Sequence, residues 1–111
     1  MKNRLYESVS ILNGNLKDEE IKETIGQYEK FFQENNLEVD NFEEIGLRKL
    51  AYEIKGNKEG YYIVFKFWGD RNDIPDFEKF LRENDNVVKF ITVDADQTRG
   101  IDENEEDEEE L

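Results

Sequence analysis

Between Arg4 and Leu12 the chain alternates, RLYESVSIL, with Leu5, Val9 and Ile11 on one side and Tyr6, Ser8, Ser10 and Leu12 on the other. That period of two over a strand-length segment predicts a first strand, and Asn13-Gly14-Asn15 supplies a turn and a helix entry. From Leu16 to Asn36 the period lengthens. Ile21, Ile25, Tyr28 and Phe32 recur at spacings of four, three and four among charged residues, the pattern of an amphipathic helix with one buried stripe. Asn15 or Asp18 is placed to cap its free amides, acids at 18 to 20 complement its positive end, and Asn35-Asn36 suits its exit.

Residues 37–54, LEVDNFEEIGLRKLAYEI, return to alternation at Leu37/Val39 and at Leu50/Tyr52/Ile54, with a slip near Gly46 that predicts a bulge or bend in one long second strand. KGNKEG, glycine-rich and longer than two residues, reads as the hairpin connection to a third strand, YYIVFKFW. DRNDIPDFEKFLREN carries an Asn72 or Asp73 cap, Pro75 in the first turn, and Ile74, Phe77, Phe80 and Leu81 on one face, so it predicts a second, shorter helix. After Asp85-Asn86, VVKFITV is the last strand.

The order βαββαβ predicts an α+β domain over residues 1–95: a ferredoxin-like, four-stranded antiparallel sheet with two helices on one face and strands one and three central. Strand three is apolar on both sides, with Tyr61, Ile63, Phe65 and Phe67 alternating with Tyr62, Val64 and Trp68, broken only by Lys66. Two helices cover one face, so the other exposes an apolar patch or meets a partner. The serines of strand one leave open which face receives the helices.

Charge refines this picture once it is divided along the chain. Of the net −14, residues 96–111 contribute −8, from nine acids against Arg99, and residues 1–95 hold 20 acids and 14 bases. The acidic end, DENEEDEEEL, has no apolar period and is expected to be a disordered, solvated extension. No apolar run exceeds the five residues Tyr61 to Phe65, which excludes a membrane-spanning helix.

The chemistry available is thin. The chain has no cysteine and no histidine, so thiolate nucleophiles, zinc–thiolate sites and the usual neutral-pH base are missing. Ser8 and Ser10 have no histidine to activate them, and Glu43-Glu44 point to opposite sides of an extended chain. Acyl-phosphate hydrolases of this fold use an arginine in the loop after strand one, where this chain has NGNLK. DADQTRGIDENE, residues 94–105, spaces oxygen ligands like an EF-hand, but Arg99 stands where glycine is needed and a strand precedes it. No catalytic residue, metal site, cofactor or small-molecule substrate is expected.

Open sheet faces of this fold often bind RNA, yet EGYYIVFK keeps only the glycine, first aromatic and aliphatic of the RNA-recognition strand signature. The basic residues are scattered over element ends, where they collect phosphates without reading sequence. Arg48 and Lys49, with Glu43 and Glu44, lie in what would be an edge strand, where such charges block self-pairing or meet a partner.

Tyr6-Glu7 with Asn13-Gly14-Asn15-Leu16, then Gly46-Leu47-Arg48-Lys49-Leu50-Ala51-Tyr52-Glu53-Ile54, Gly60-Tyr61, Leu81-Arg82 and Asp85-Asn86-Val87 together resemble the family of the sixth protein of the bacterial small ribosomal subunit. The likeness runs colinearly from about Arg4 to Val93, with GLRKLAY-x-I its most specific piece. The resemblance implies a non-enzymatic, cytoplasmic structural component of the ribosome. Such a protein pairs with small-subunit protein eighteen and binds the central domain of 16S rRNA in the platform. Lys2, Arg4, Arg71 and Lys89, which flank one another at strand ends in the predicted topology, are the expected rRNA contacts, and Arg48, Lys49 and the sheet aromatics Tyr62 and Trp68 are the expected partner contacts. The segment after Val87 departs from the family, where two successive basic positions are common and this chain has Val88-Lys89. Two other readings stand beside it: a self-sufficient RNA-binding module, and an interaction domain that dimerises through the free sheet face.

Overall fold

The computed structural model describes residues 3–95. Its elements run β1 (Arg4–Asn13), α1 (Asp18–Glu34), β2 (Glu38–Ile54), β3 (Asn57–Gly69), α2 (Asp73–Glu83) and β4 (Val87–Asp94). All pairings are antiparallel and the sheet order is β2-β3-β1-β4, so β1 and β3 are central and the ferredoxin-like arrangement is as expected. Among the described residues no helix is long and apolar enough to cross a membrane. Lys2, the acidic segment from Asp96 and all but the first two residues of the EF-hand-like spacing lie outside the described residues.

The helices cover the face that carries the two serines. Tyr6, Ser8, Ser10 and Leu12 of β1 are buried beneath Tyr28 and Phe32 of α1, Phe77 and Leu81 of α2, and Ile63, Phe65 and Phe67 of β3. Small residues suit this position because the layer above is aromatic: Tyr28 stacks on Phe65 with centroids 5.3 Å apart, and Phe32 sits 5.0 Å from both Phe65 and Phe67. The predicted stripe of α1 holds, with Thr24 buried in addition and Ile25 half-buried. Thr24 accepts a hydrogen bond from Asn86 at 2.9 Å, tying α1 to the turn before β4.

Three local features differ from expectation. The β2–β3 connection is the two-residue turn Lys55-Gly56, both at positive φ (50° and 82°), a type I′ geometry matched to strand twist. β3 therefore begins at Asn57, whose buried amide donates to the carbonyls of Ile54 and Lys55 and accepts from Gly14 N–H at 3.3 Å. Second, α1 is capped neither by Asn15 nor by Asp18. Lys17 is the N-cap, and its backbone N–H donates to Glu20 Oε1 at 2.8 Å, while Asn13 accepts from Asn15 N–H. Third, neither Asn72 nor Asp73 caps α2 from its N-cap position; Asp73 instead accepts from Asp70 N–H at 2.8 Å and fixes the turn from β3. The expected slip at Gly46 is present as a register shift between Glu44 and Gly46, with Gly46 at φ 100°.

The core contains two side-chain hydroxyls without a hydrogen bond among the described residues, Ser10 Oγ and Tyr28 Oη. Burial pushes the Tyr28 phenol up, and the neighbouring Ser10 hydroxyl, short of hydrogen-bond geometry, opposes it in part. The neutral phenol is thus favoured in the fold. This group's contribution to stability is complete below its unfolded value of 10.0 and is lost as pH rises beyond it toward the folded value. Tyr28→Phe should leave stability at neutral pH unchanged or raised by up to about 1 kcal/mol, since it removes an unsatisfied buried hydroxyl. It should also flatten the loss of stability above pH 10, which urea titrations at pH 7 and above pH 10 would read. A drop of several kcal/mol at neutral pH would show that the hydroxyl is bonded.

Candidate functional site

Antiparallel register places directly opposed residues on one face, so the face away from the helices can be written as rows across β2, β3, β1 and β4. Glu38–Trp68–Leu5 lies at one end, followed by Asn41–Lys66–Glu7–Val93, Glu43–Val64–Val9–Ile91 and Gly46–Tyr62–Ile11–Lys89. The centre is aliphatic and aromatic, and among the described residues neither helix covers it, although Val64 and Ile11 are buried by neighbouring side chains. The expected uncovered apolar face is real.

One end of this face has its own small core. The β2–β3 ladder is regular to Lys49 opposite Glu59 and resumes only at Ile54 opposite Asn57. Between those points Leu50 turns inward and is buried with Ile11 and Val88, with Ile54 and Tyr62 packed around them. Tyr52 reaches β4, where Lys89 Nζ lies 3.5 Å from its hydroxyl and 5.9 Å from its ring centroid. The result is an apolar groove of about 290 Å³ lined chiefly by Val9, Ile11, Tyr52, Tyr62, Lys89 and Ile91. Ile91 and Tyr52 remain 46% and 59% exposed, a large apolar exposure for a small domain.

The expected RNA contacts separate into two places. Arg4 and Arg71 are brought together at the Trp68 end, around Tyr6. Arg4 Nη1 is 2.7 Å from Asp94 Oδ2, and Arg71 is exposed in the turn between β3 and α2. The Tyr6 phenol is raised mainly by burial and by Asp94, with Arg4 and Arg71 opposing and Asp70 adding. Lys89 does not flank this pair as the sequence suggested: it stands opposite Ile11, seven residues along β1 from Arg4, or about 23 Å in an extended strand.

The expected partner contacts are likewise divided. Arg48 and Lys49 are exposed on the outer strand β2, opposite Gly60 and Glu59, beside exposed Ile45 and Leu47. Tyr62 borders the groove, whereas Trp68 lies at the far end, its indole N–H 3.4 Å from Asp40 Oδ1. Sequence reasoning missed Tyr52, Val9 and Ile91 as groove residues. Their alternation with the opposed residues of neighbouring strands was visible, but the excursion of residues 50–54 over the sheet was not.

Among the described residues, Ser8 and Glu44 are engaged in structural hydrogen bonds. Ser8 accepts from the Thr92 hydroxyl at 3.2 Å inside the core, and Glu44 accepts from the Tyr61 hydroxyl at 2.8 Å, the main cause of the raised Tyr61 phenol. Among the described residues no group of three or more carboxylates is placed to hold a metal ion.

A sequence model of the family described as ribosomal protein S6 matches residues 5–94. Small ribosomal subunit protein bS6 of Christiangramia forsetii is 39% identical over 92 residues, covering 83% of this chain and 82% of that protein. The bS6 of Shouchella clausii is 33% identical over 94 residues, covering 85% of this chain and 99% of that protein. In three dimensions the chain is similar to the crystal structure of 30S ribosomal protein S6 from Thermotoga maritima, with a TM-score of 0.79 and 33% identity. That likeness covers 84% of this chain and 88% of the other.

Proposed function

The chain belongs to the ribosomal protein S6 family of the small ribosomal subunit, and from that premise we propose that it binds the central domain of 16S rRNA jointly with small-subunit protein eighteen. The observation that carries this reading is the family match across residues 5–94, which spans the described fold from β1 to β4. The family is one of structural ribosomal proteins rather than enzymes, and the chain's work on this reading is assembly in the cytoplasmic ribosome without turnover.

The mechanism follows from charge. A chain of net −14 is repelled by RNA as a whole, so its contacts must be local cations at defined points of the fold. Arg4 and Arg71 at one end of the sheet and Lys89 at the other supply two such points, with Lys2 two residues before Arg4 in sequence. They position the protein on phosphates and do not read bases. A basic companion supplies the missing positive charge, and Arg48, Lys49, Tyr62 and Trp68 are the residues through which this chain meets it.

Filter binding of the full chain to a 16S central-domain fragment across a salt series tests this. Binding should be weak alone and much tighter with protein eighteen present. In the ternary complex Arg71→Ala and Lys89→Ala should each weaken binding and make the slope of log K against log salt shallower by about one. A variant with unchanged affinity and slope removes that residue from the contact. Tight binding without the companion favours the self-sufficient RNA module instead.

A further inference from the structure

The cations at the two ends of the sheet are not equivalent. Among the described residues Arg71 and Lys89 form no ion pair, whereas Arg4 Nη1 donates to Asp94 Oδ2 at 2.7 Å. Asp94 stands opposite Tyr6 across the β1–β4 pair, and Arg4 is two residues from Tyr6, so all three project from one face at the same end of the sheet. The backbone bond from Ala95 N–H to the Leu5 carbonyl, 2.8 Å, carries the pairing past Asp94 and holds the two charges in place. The side chains of Arg4 and Asp94 are 35% and 17% exposed, so the pair is partly shielded from water and from salt. A carboxylate this close cancels most of the field that Arg4 would project. The Tyr6 phenol feels that balance: after burial, Asp94 raises it more than Arg4 lowers it.

We propose that Asp94 is a specificity-determining residue that restrains phosphate binding at Arg4, leaving Arg71 as the effective cation at this end of the sheet. This rests on the functional reading above. A phosphate that reaches the Arg4 guanidinium also meets the Asp94 carboxylate, and like charge at that range opposes it. The pair carries no net charge, so engaging it releases fewer counterions than engaging a bare cation. The chain alone is thereby kept a poor ligand for RNA at large, and its binding depends on the joint complex. Asparagine is the discriminating replacement at position 94: its side-chain oxygen still accepts from Arg4, while the charge is gone.

Filter binding of full-chain variants to the 16S central-domain fragment, alone and with protein eighteen, across a salt series tests this. Asp94→Asn should bind about fivefold more tightly than the parent at about 0.15 M salt and steepen the slope of log K against log salt by about one. Asp94→Glu, which keeps the charge, should stay at the parental values. Arg4→Ala alone should change little, and combining it with Asp94→Asn should abolish the gain, because the restrained cation is then missing. Circular dichroism melts confirm that each variant is folded at the assay temperature. Parental affinity and slope in Asp94→Asn would make the ion pair merely structural, and weakened binding would make Asp94 a residue that orients Arg4. Either result overturns the restraint and, where the parent complex forms, leaves the functional reading standing. A gain that survives Arg4→Ala overturns it in favour of a general effect of net charge. Absence of binding by every variant, with and without protein eighteen, overturns both.

Discussion

Phe77→Ala is expected to lower the stability of the domain by about 3–5 kcal/mol, a large part of what a chain of this size possesses. Phe77 is fully buried and is the residue through which α2 joins the aromatic layer. Its ring centroid is 5.1 Å from Phe67, 5.5 Å from Phe32, 5.6 Å from Phe31 and 6.3 Å from both Tyr28 and Phe80. Truncation forfeits the transfer of a whole ring and leaves a void that five neighbouring rings, held by their own contacts, fill only in part. Urea unfolding followed by Trp68 fluorescence measures the loss as a lower midpoint at nearly constant slope. A change below about 1.5 kcal/mol would mean that the layer collapses around the gap and that α2 is held mainly by other residues.

Gly14→Ala is expected to be nearly as damaging, for a steric reason. A β-carbon at position 14 would overlap the backbone carbonyl of Glu59, and a backbone atom of a paired strand cannot rotate out of the way. The turn after β1 would have to lift off β3, and the Gly14 N–H bond to the buried Asn57 would go with it. Overpacking of this kind costs about 1–3 kcal/mol, and loss of the Asn57 contact adds about 1 kcal/mol. Gly26→Ala is the natural contrast. Position 26 lies in the exposed part of α1 with nothing within 4 Å of an added β-carbon, so the same substitution should stabilise by about 0.5–1 kcal/mol through helix propensity. Thermal melts of the two variants should move in opposite directions. A Gly14→Ala protein as stable as the parent would show that the turn does not press on β3.

The elements were legible because each hydrophobic period is long enough to be unambiguous. Ile21, Tyr28 and Phe32 can share a face only in a helix, and Tyr61 to Trp68 can bury both sides only in a central strand. The covered face was not legible, since Ser8 and Ser10 leave it open until the aromatic bulk of Tyr28, Phe32 and Phe77 is known to sit above them. Residue volume adds across elements that are distant in sequence, and no local window contains it. The hairpin was misjudged because Lys55 adopts positive φ, which its residue type disfavours and the tight turn imposes. Of the candidate site, the uncovered face was visible in the two-sided apolarity of β3. The separation of Lys89 from Arg4 and Arg71 depended on pairing register, and the groove depended on residues 50–54 leaving the ladder, which alternation alone does not announce.

On the proposed function, assembly on RNA with a basic companion would give these features one purpose: local cations at two ends of a sheet and an apolar groove on its open face. The most direct measurement is the affinity of the full chain for the 16S central-domain fragment, with and without protein eighteen, at one fixed salt concentration. Affinity should rise at least a hundredfold when the companion is present. Equal affinity in the two conditions, or no binding in either, would contradict the account.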